Sequence, residues 1–259
     1  MIVRDIISVI EDFAPASIQE SWDNSGLVIG SPEQEVKGVL IGLDCTPRLV
    51  DEAVSCGADM IVTHHPLIFG GLKKISPEDP VGLAVIKAVS AGIAVYAAHT
   101  TADKVLGGVS GTMARRLGLV NISVLDEEGD GVGLGVVGDL EEPVGSEEFI
   151  EKVKKAFNLP VVRCSSPSGI TVRRVAMCGG SGSSLIPNAI SSGAQAFICG
   201  DVSYHHFFTP NGFMIMDIGH FEGEVEICDV LFSLLRKNFP TFAVRTSEKL
   251  RSSNPVFYY

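Results

Sequence analysis

From residue 38 the chain alternates two kinds of apolar text. GVLIGLD (38–44), MIVTHH (60–65) and IAVYAAH (93–99) are short runs rich in β-branched residues, the pattern of strands buried on both faces. Between them, TPRLVDEAVSCGAD and VGLAVIKAVSAG space their apolar residues helically and end near Gly57 and Gly92. Strand, helix, strand, helix, strand makes a βαβαβ unit, whose crossovers require parallel strands with helices packed on the faces. Residues 119–146, containing LDEEGDGVG and DLEEPVGS, are rich in acids and turn formers and interrupt the apolar pattern. A second round follows. GLGVVGD, SEEFIEKVKKAF, TVRRVAMC, SLIPNAISSG, AQAFICGD and FMIMDIGH alternate strand and helix character, and FEGEVEICDVLFSLLRKNF predicts a long terminal helix. The fold class is therefore α/β.

Composition narrows the setting. With 259 residues, 46% hydrophobic and 20% charged, the chain can bury a large core, which excludes a disordered protein. The net charge is -11 and the basic pairs Lys73-Lys74, Arg115-Arg116, Lys154-Lys155 and Arg173-Arg174 are dispersed among acids, which argues against a duplex-DNA binder. The six cysteines form no C-x-x-C pair and most stand in apolar contexts, as expected of buried free thiols in a reducing, cytoplasmic setting. MIVRDIISVIEDFAP carries charges on a helical pattern and does not read as a secretory signal. The uncharged stretch from 179 to 200 is broken by Gly and Ser, and no apolar run reaches the ~20 residues of a bilayer span, so no membrane partner is expected.

In open parallel sheets, ligands bind beyond the carboxyl ends of the strands, and the residues with chemistry stand there. Asp44 ends the first strand of the unit, His64 and His65 the second, and His99 the third, with Asp103 four residues on. Later, Asp201 ends AFICGD and His220 follows FMIMDIG. His220 and Glu224, four apart at the start of the last predicted helix, project from one face and can grip one cation. In a regular strand the adjacent His64 and His65 would point to opposite faces, and Pro66 keeps His65 out of helical geometry. Two ions ~3.5–4 Å apart, each served by one histidine, resolve this, with Asp103 and Glu224 as the carboxylates that could hold the pair together. Blander readings stay open for each piece: a hydrogen-bonded His-His pair, an ordinary helix-start contact for His220 and Glu224, and a helix cap for Asp103. Their convergence on one sheet edge favours a metal site.

Seven passages, WDNSGLVIG (22–30), THHPLIF (63–69), AAHTTAD (97–103), GGSGSSLIPNA (179–189), GDVSYH (200–205), DIGHFEGE (217–224) and NPVFYY (254–259), resemble in order those of the dinuclear-metal family called GTP cyclohydrolase I type 2 homologs, or nuclear-interacting-factor-three-like proteins. The resemblance implies that His64, His65, Asp103, His220 and Glu224 are the metal ligands, with the two adjacent histidines on different ions and the glutamate touching both. It implies two α/β lobes of largely parallel sheets flanked by helices, residues 1–124 with 216–259 and residues 125–215, the C-terminal helix returning to the first lobe. It also implies ring-shaped homohexamers. The chain departs from the family pattern at Thr101-Ala102, where Asn-Leu is common, and at His206, where an acid often stands; it lacks the insertion of longer members.

Further roles are less constrained. The Gly179, Gly180, Ser181, Gly182 passage could hold an anion on its backbone N–H groups, or be a tight turn. His205 could transfer a proton or lie on the surface, and His99 could orient Asp103 or be merely buried and hydrogen-bonded. In WDN, Asp23 or Asn24 is expected to order a turn under the indole. Three imidazoles and two carboxylates suit zinc, manganese, iron or nickel rather than calcium. Two such ions sharing a water would lower its pKa toward ~7, which points to hydrolysis of a nucleotide-like or phosphorylated small molecule. The family name points to GTP, although no guanine-reading feature is legible. The competing class is a non-catalytic metal-handling or regulatory protein.

Overall fold

The structure is a computed structural model of the chain and describes residues 1–167 and 169–258; Ser168 and Tyr259, the last residue of the NPVFYY passage, lie outside the described residues. In chain order the elements are α1 (Val3–Phe13), β1 (Gly26–Ile29), β2 (Gly38–Gly42), α2 (Pro47–Cys56), β3 (Met60–Thr63), α3 (Pro80–Ala91), β4 (Ala94–Ala97), α4 (Thr100–Asp103), α5 (Val109–Leu117), β5 (Val120–Gly129), β6 (Val132–Gly145), α6 (Ser146–Phe157), β7 (Arg163–Cys164), β8 (Thr171–Ser181), α7 (Ile186–Ser191), β9 (Ala196–Gly200), β10 (Met214–Asp217), α8 (His220–Glu224), α9 (Ile227–Asn238) and β11 (Ala243–Thr246). Among the described residues no helix is long and apolar enough to cross a membrane.

The chain divides into two compact units, Met1–Ala102 with Ile227–Pro255, and Asp103–Glu226 with the tail from Val256. The expected lobe limits at 124 and 216 both fall inside the second unit. The reason is packing: α5 lies on β6, β8 and α6, and α8 lies on β8 and β9, so both helices belong with the second sheet.

The first sheet has the order β1-β4-β3-β2-β11, antiparallel at β1 and β4 and parallel at every other pairing. Its parallel heart is the βαβαβ unit. Register aligns Leu40 with Ile61 and Ile61 with Val95, so one face presents a row of aliphatic side chains. Leu49, Val50 and Ala53 of α2 and Ala84, Val85 and Ala88 of α3 bury that row. Both helices start on a cap followed by proline: Thr46 accepts from the Leu49 amide at 3.2 Å and Asp79 from the Gly82 amide at 2.7 Å. Helix α9 packs on α1, β2 and β11. The single long terminal helix read from FEGEVEICDVLFSLLRKNF is thus two helices, because its first turns and its remainder bury their apolar residues against different sheets.

The second sheet is mixed, in the order β5-β6-β8-β9-β10-β7, parallel across β8, β9 and β10 and antiparallel elsewhere. Register places Val137, Ala176, Phe197 and Ile215 side by side, and with Leu185 and Ala189 they form a buried cluster. The acidic interruption at 119–146 is a long hairpin. Asp130 and Gly131 both take positive φ, 54° and 74°, as a tight primed turn requires. Strand β5 lies at the sheet edge and is largely exposed, which explains why acids replace the apolar alternation there.

Candidate metal centre

In the first unit three imidazoles collect just beyond β3 and β4. The register pairs Thr63 with Ala97, so the residues that follow, His64-His65 and His99, leave the sheet side by side. Strand β3 ends at Thr63, whose hydroxyl donates to the His65 carbonyl at 2.7 Å. The rule that neighbours point to opposite faces therefore stops applying, and the His64 and His65 rings converge, with centroids 5.0 Å apart. A ring nitrogen of each of His64, His65 and His99 lies within 4.8 Å of the others, so the three can hold a metal ion.

Each of these imidazoles presents Nδ1 to a fixed acceptor. His64 Nδ1 stands 3.0 Å from the Ala98 carbonyl, His65 Nδ1 2.7 Å from Asp44 Oδ1, and His99 Nδ1 2.8 Å from Asp23 Oδ1. An acceptor at Nδ1 selects the tautomer that carries its proton there and leaves Nε2 as the nitrogen with a lone pair for a cation. Asp44 reaches His65 because β2 and β3 run parallel with Gly42 opposite Thr63, and the His65 amide donates to the Leu43 carbonyl at 3.0 Å. Asp23 is fixed more firmly still. Its side chain is fully buried and also accepts from Ser25 Oγ at 2.5 Å and Thr100 Oγ1 at 2.5 Å. Burial alone would raise its pKa, but these hydrogen bonds, with that from His99, hold it far below the ordinary carboxylate value.

The second unit carries its own metal-capable donors. His220 and Glu224, at the two ends of α8, bring Nε2 and Oε2 to 3.0 Å, the i,i+4 relation that their spacing predicts. The His220 ring is held from its other side too, its Nδ1 2.7 Å from Asp201 Oδ2. The parallel register of β9 with β10, Cys199 opposite Asp217, sets Asp201 level with the start of α8. A carboxylate oxygen of Asp103 lies within 4.8 Å of one of Glu224. Glu224 itself is 4% exposed. Cys178 is buried beside these acids; burial and the negative charges of Asp103 and Glu224 push its thiol well above the ordinary value.

In the Gly179–Gly182 passage, Gly180 packs against the same glutamate. Gly179 to Ser181 close strand β8, and a Cβ added at Gly180 would collide with Glu224 Oε1. Gly180 also has φ +58°, a conformation that other residues adopt at a cost. Gly180 clears the space in which the carboxylate sits, whereas a Cβ at Gly179 would meet Val109 and one at Gly182 would meet Cys178. His205 lies in the exposed turn 204–207, its ring near those of Tyr204 and Phe208 at 5.3 and 6.4 Å. In the WDN passage Asp23 does order the chain, through His99 and Thr100, and Asn24 Nδ2 donates to the Ile68 carbonyl at 2.6 Å. The imidazole-fixing role of Asp44 and Asp201 is not readable from sequence, which shows only that both stand at strand ends.

The family model described as Duf34/NIF3 (NGG1p interacting factor 3) matches residues 1–255. A Clostridium acetobutylicum protein named GTP cyclohydrolase 1 type 2 homolog is 35% identical over 227 residues, covering 86% of this chain and 85% of its own length. Its namesake from Lactococcus lactis is 36% identical over 226 residues, covering 85% and 86%. Among solved structures, a hypothetical protein of Staphylococcus aureus superposes with TM-score 0.94 at 29% identity, over 100% of this chain and 99% of that one. Reduced HcgD from Methanocaldococcus jannaschii gives 0.81 at 26% identity, over 96% and 98%.

Proposed function

This chain belongs to the Duf34/NIF3 (NGG1p interacting factor 3) family, and from that premise we propose that it is a metal-dependent hydrolase acting on a nucleotide-like or phosphorylated small molecule. His64, His65, Asp103, His220 and Glu224 together hold two divalent cations in this reading. What carries it is a shared restraint on the imidazoles: His64, His65, His99 and His220 each hold Nδ1 2.7–3.0 Å from a backbone carbonyl or a carboxylate, which fixes the orientation of every ring. Histidines that serve only packing have no need of one shared restraint. The imidazole and carboxylate donors fit zinc, manganese, iron or nickel, and not calcium, which takes oxygen ligands alone.

Bound divalent cations supply concentrated positive charge, which polarises an electrophilic carbon or phosphorus and acidifies water. The protein's own groups do the rest. Asp44 and Asp201 keep the His65 and His220 rings from rotating, so that donor positions are set before any ion arrives. Glu224, buried against Gly179 and Gly180 of β8, has little room to swing away. His99, locked by Asp23, orients the neighbouring ligands, and exposed His205, four residues beyond Asp201, moves a proton to or from the leaving group. The name of the curated relatives, GTP cyclohydrolase 1 type 2 homolog, supports a purine nucleotide as the first substrate to try.

The test is a measurement of metal content followed by a screen of nucleotides, phosphoesters and cyclic amides against metal-loaded protein. About two ions per chain are expected, and near-zero occupancy at saturating zinc or manganese would remove the reading. Glu224→Gln should lower metal retention and abolish turnover while circular dichroism stays unchanged; an undiminished rate would exclude a bridging role. Full metal uptake with no turnover of any compound would instead support the metal-handling alternative. The same reading expects a homo-oligomer, hexameric by family likeness, and light scattering at the mass of one chain would overturn that part.

A further inference from the structure

The Trp22-Asp23-Asn24 passage is built unevenly. Asp23 is pinned to His99, Ser25 and Thr100, and Asn24 is pinned to the Ile68 carbonyl, the backbone position just before Phe69. The aromatic residues beside these anchors are left in water: Trp22 is 62% exposed and Phe69 54%. Large aromatic rings normally gain from burial, yet here the Asp23 side chain is buried while the rings are not. Both rings stand nearly perpendicular to the His99 imidazole, with centroids 6.0 Å away for Trp22 and 5.3 Å for Phe69, at interplanar angles of 77° and 89°. His99 in turn belongs to the imidazole cluster of the same unit. One hydrogen-bonded frame therefore fixes two exposed rings, from separate stretches of chain, at the border of a metal-capable cluster.

We propose that Trp22 and Phe69 are the binding residues for a planar heterocyclic ring of the substrate, which they hold by stacking beside His99. This rests on the proposed reading of the imidazole cluster as a metal-dependent site and names what that site grips. A greasy partner would need a continuous apolar patch, yet the residues that frame these two rings are Asp23, Asn24 and His99. A flat ring with polar edges suits both features: its faces meet the aromatic side chains and its edges meet hydrogen-bonding groups. Stacking of this kind tolerates different bases, because each has a π face. It is also consistent with the sequence showing no residue set dedicated to guanine.

Trp22 is the one tryptophan of the chain, so its fluorescence reports the proposed contact directly. Zinc-loaded full-length protein is titrated with guanosine monophosphate and with adenosine monophosphate, using ribose 5-phosphate as the non-planar control and correcting for absorbance. Saturable quenching by the two nucleotides and none by ribose 5-phosphate is expected. Phe69→Ala and the milder Phe69→Leu should each weaken the midpoint, the first by roughly tenfold, with unchanged circular dichroism. Trp22→Ala, followed by calorimetry, should weaken binding in the same range, and Trp22→Phe less. The proposal is overturned if no planar probe quenches saturably, if ribose 5-phosphate quenches equally, or if Phe69→Ala leaves the midpoint unmoved. It is equally overturned if emission shifts only with protein concentration, which would mean that a second copy of the chain covers the rings. Zinc content of the same samples separates the two readings: full zinc without quenching sinks the aromatic grip alone, and saturable quenching without zinc uptake sinks the metal site alone.

Discussion

At the scale of single residues, the carboxylates behind the imidazoles carry as much of the design as the imidazoles do. Asp44 and Asp201 sit 2.7 Å from the Nδ1 atoms of His65 and His220 and are themselves more than half or nearly half exposed, 58% for Asp201 and 42% for Asp44. Neither is needed for the core, so each can be changed without unfolding the chain. Asp44→Asn and Asp201→Asn keep the side-chain shape but trade a charged acceptor for a neutral amide that can turn its N–H₂ toward the ring. Loss of such partners weakens metal binding by about 10–100-fold. Competition against a chromogenic zinc chelator should show that loss for both variants, while the urea midpoint of the metal-free protein stays put. Equal zinc affinity in wild type and both variants would mean that the hydrogen bonds are incidental.

Elements explain how much of this was legible beforehand. The βαβαβ stretch is readable because each strand is a short β-branched run and each crossover helix has a cap, a proline and a terminal glycine, as at Thr46-Pro47 and Gly57. Those signals predict a measurable effect: Asp79→Ala removes the acceptor of the Gly82 amide at the start of α3 and should cost about 1 kcal/mol in urea unfolding, with zinc affinity unaltered. A destabilisation of nil would show that the cap is redundant with Pro80. The hairpin of β5 and β6 was hidden because an exposed edge strand carries acids where alternation would be sought. The split of the terminal helix was hidden because period alone does not say which sheet a helical face meets. The five expected ligands stood out since all lie past strand ends. Asp44 and Asp201 stand at strand ends too, but their pairing with the histidines is hidden, because Asp44 meets His65, and Asp201 meets His220, only through strand register, which no local pattern records.

For the molecule as a whole, the buried thiols offer a probe that reads each unit from inside. Cys45 and Cys228 belong to the first unit and Cys178 and Cys199 to the second, and all four are buried. Burial, together with the charge of Asp44, pushes the Cys45 thiol up to about 12. Burial also pushes Cys199 up to about 12, against a lowering backbone hydrogen bond at Gly182 and with Asp217 and Asp201 adding to the rise. A thiol whose pKa stands about three units above its ordinary 9.0 has about a thousandth of the usual thiolate at pH 8. Native protein at that pH should therefore react first at partly exposed Cys56, more slowly at Cys164, which is partly exposed but whose thiol burial pushes up, and spare Cys45, Cys178, Cys199 and Cys228 until urea opens their unit. The same shifts fix the sign of the alkaline response. The folded state holds these protons more tightly than the unfolded chain, so the associated stability is fully present below about pH 9 and is lost as pH rises toward 12. Urea midpoints should fall between pH 9 and 11, and Cys199→Ala should fall less steeply than wild type. Mass spectrometry of alkylated peptides, taken across the urea transition, assigns each thiol to its unit. Rapid labelling of Cys45 or Cys199 in the native protein at pH 8 would show that the two sheets do not close over their cysteines.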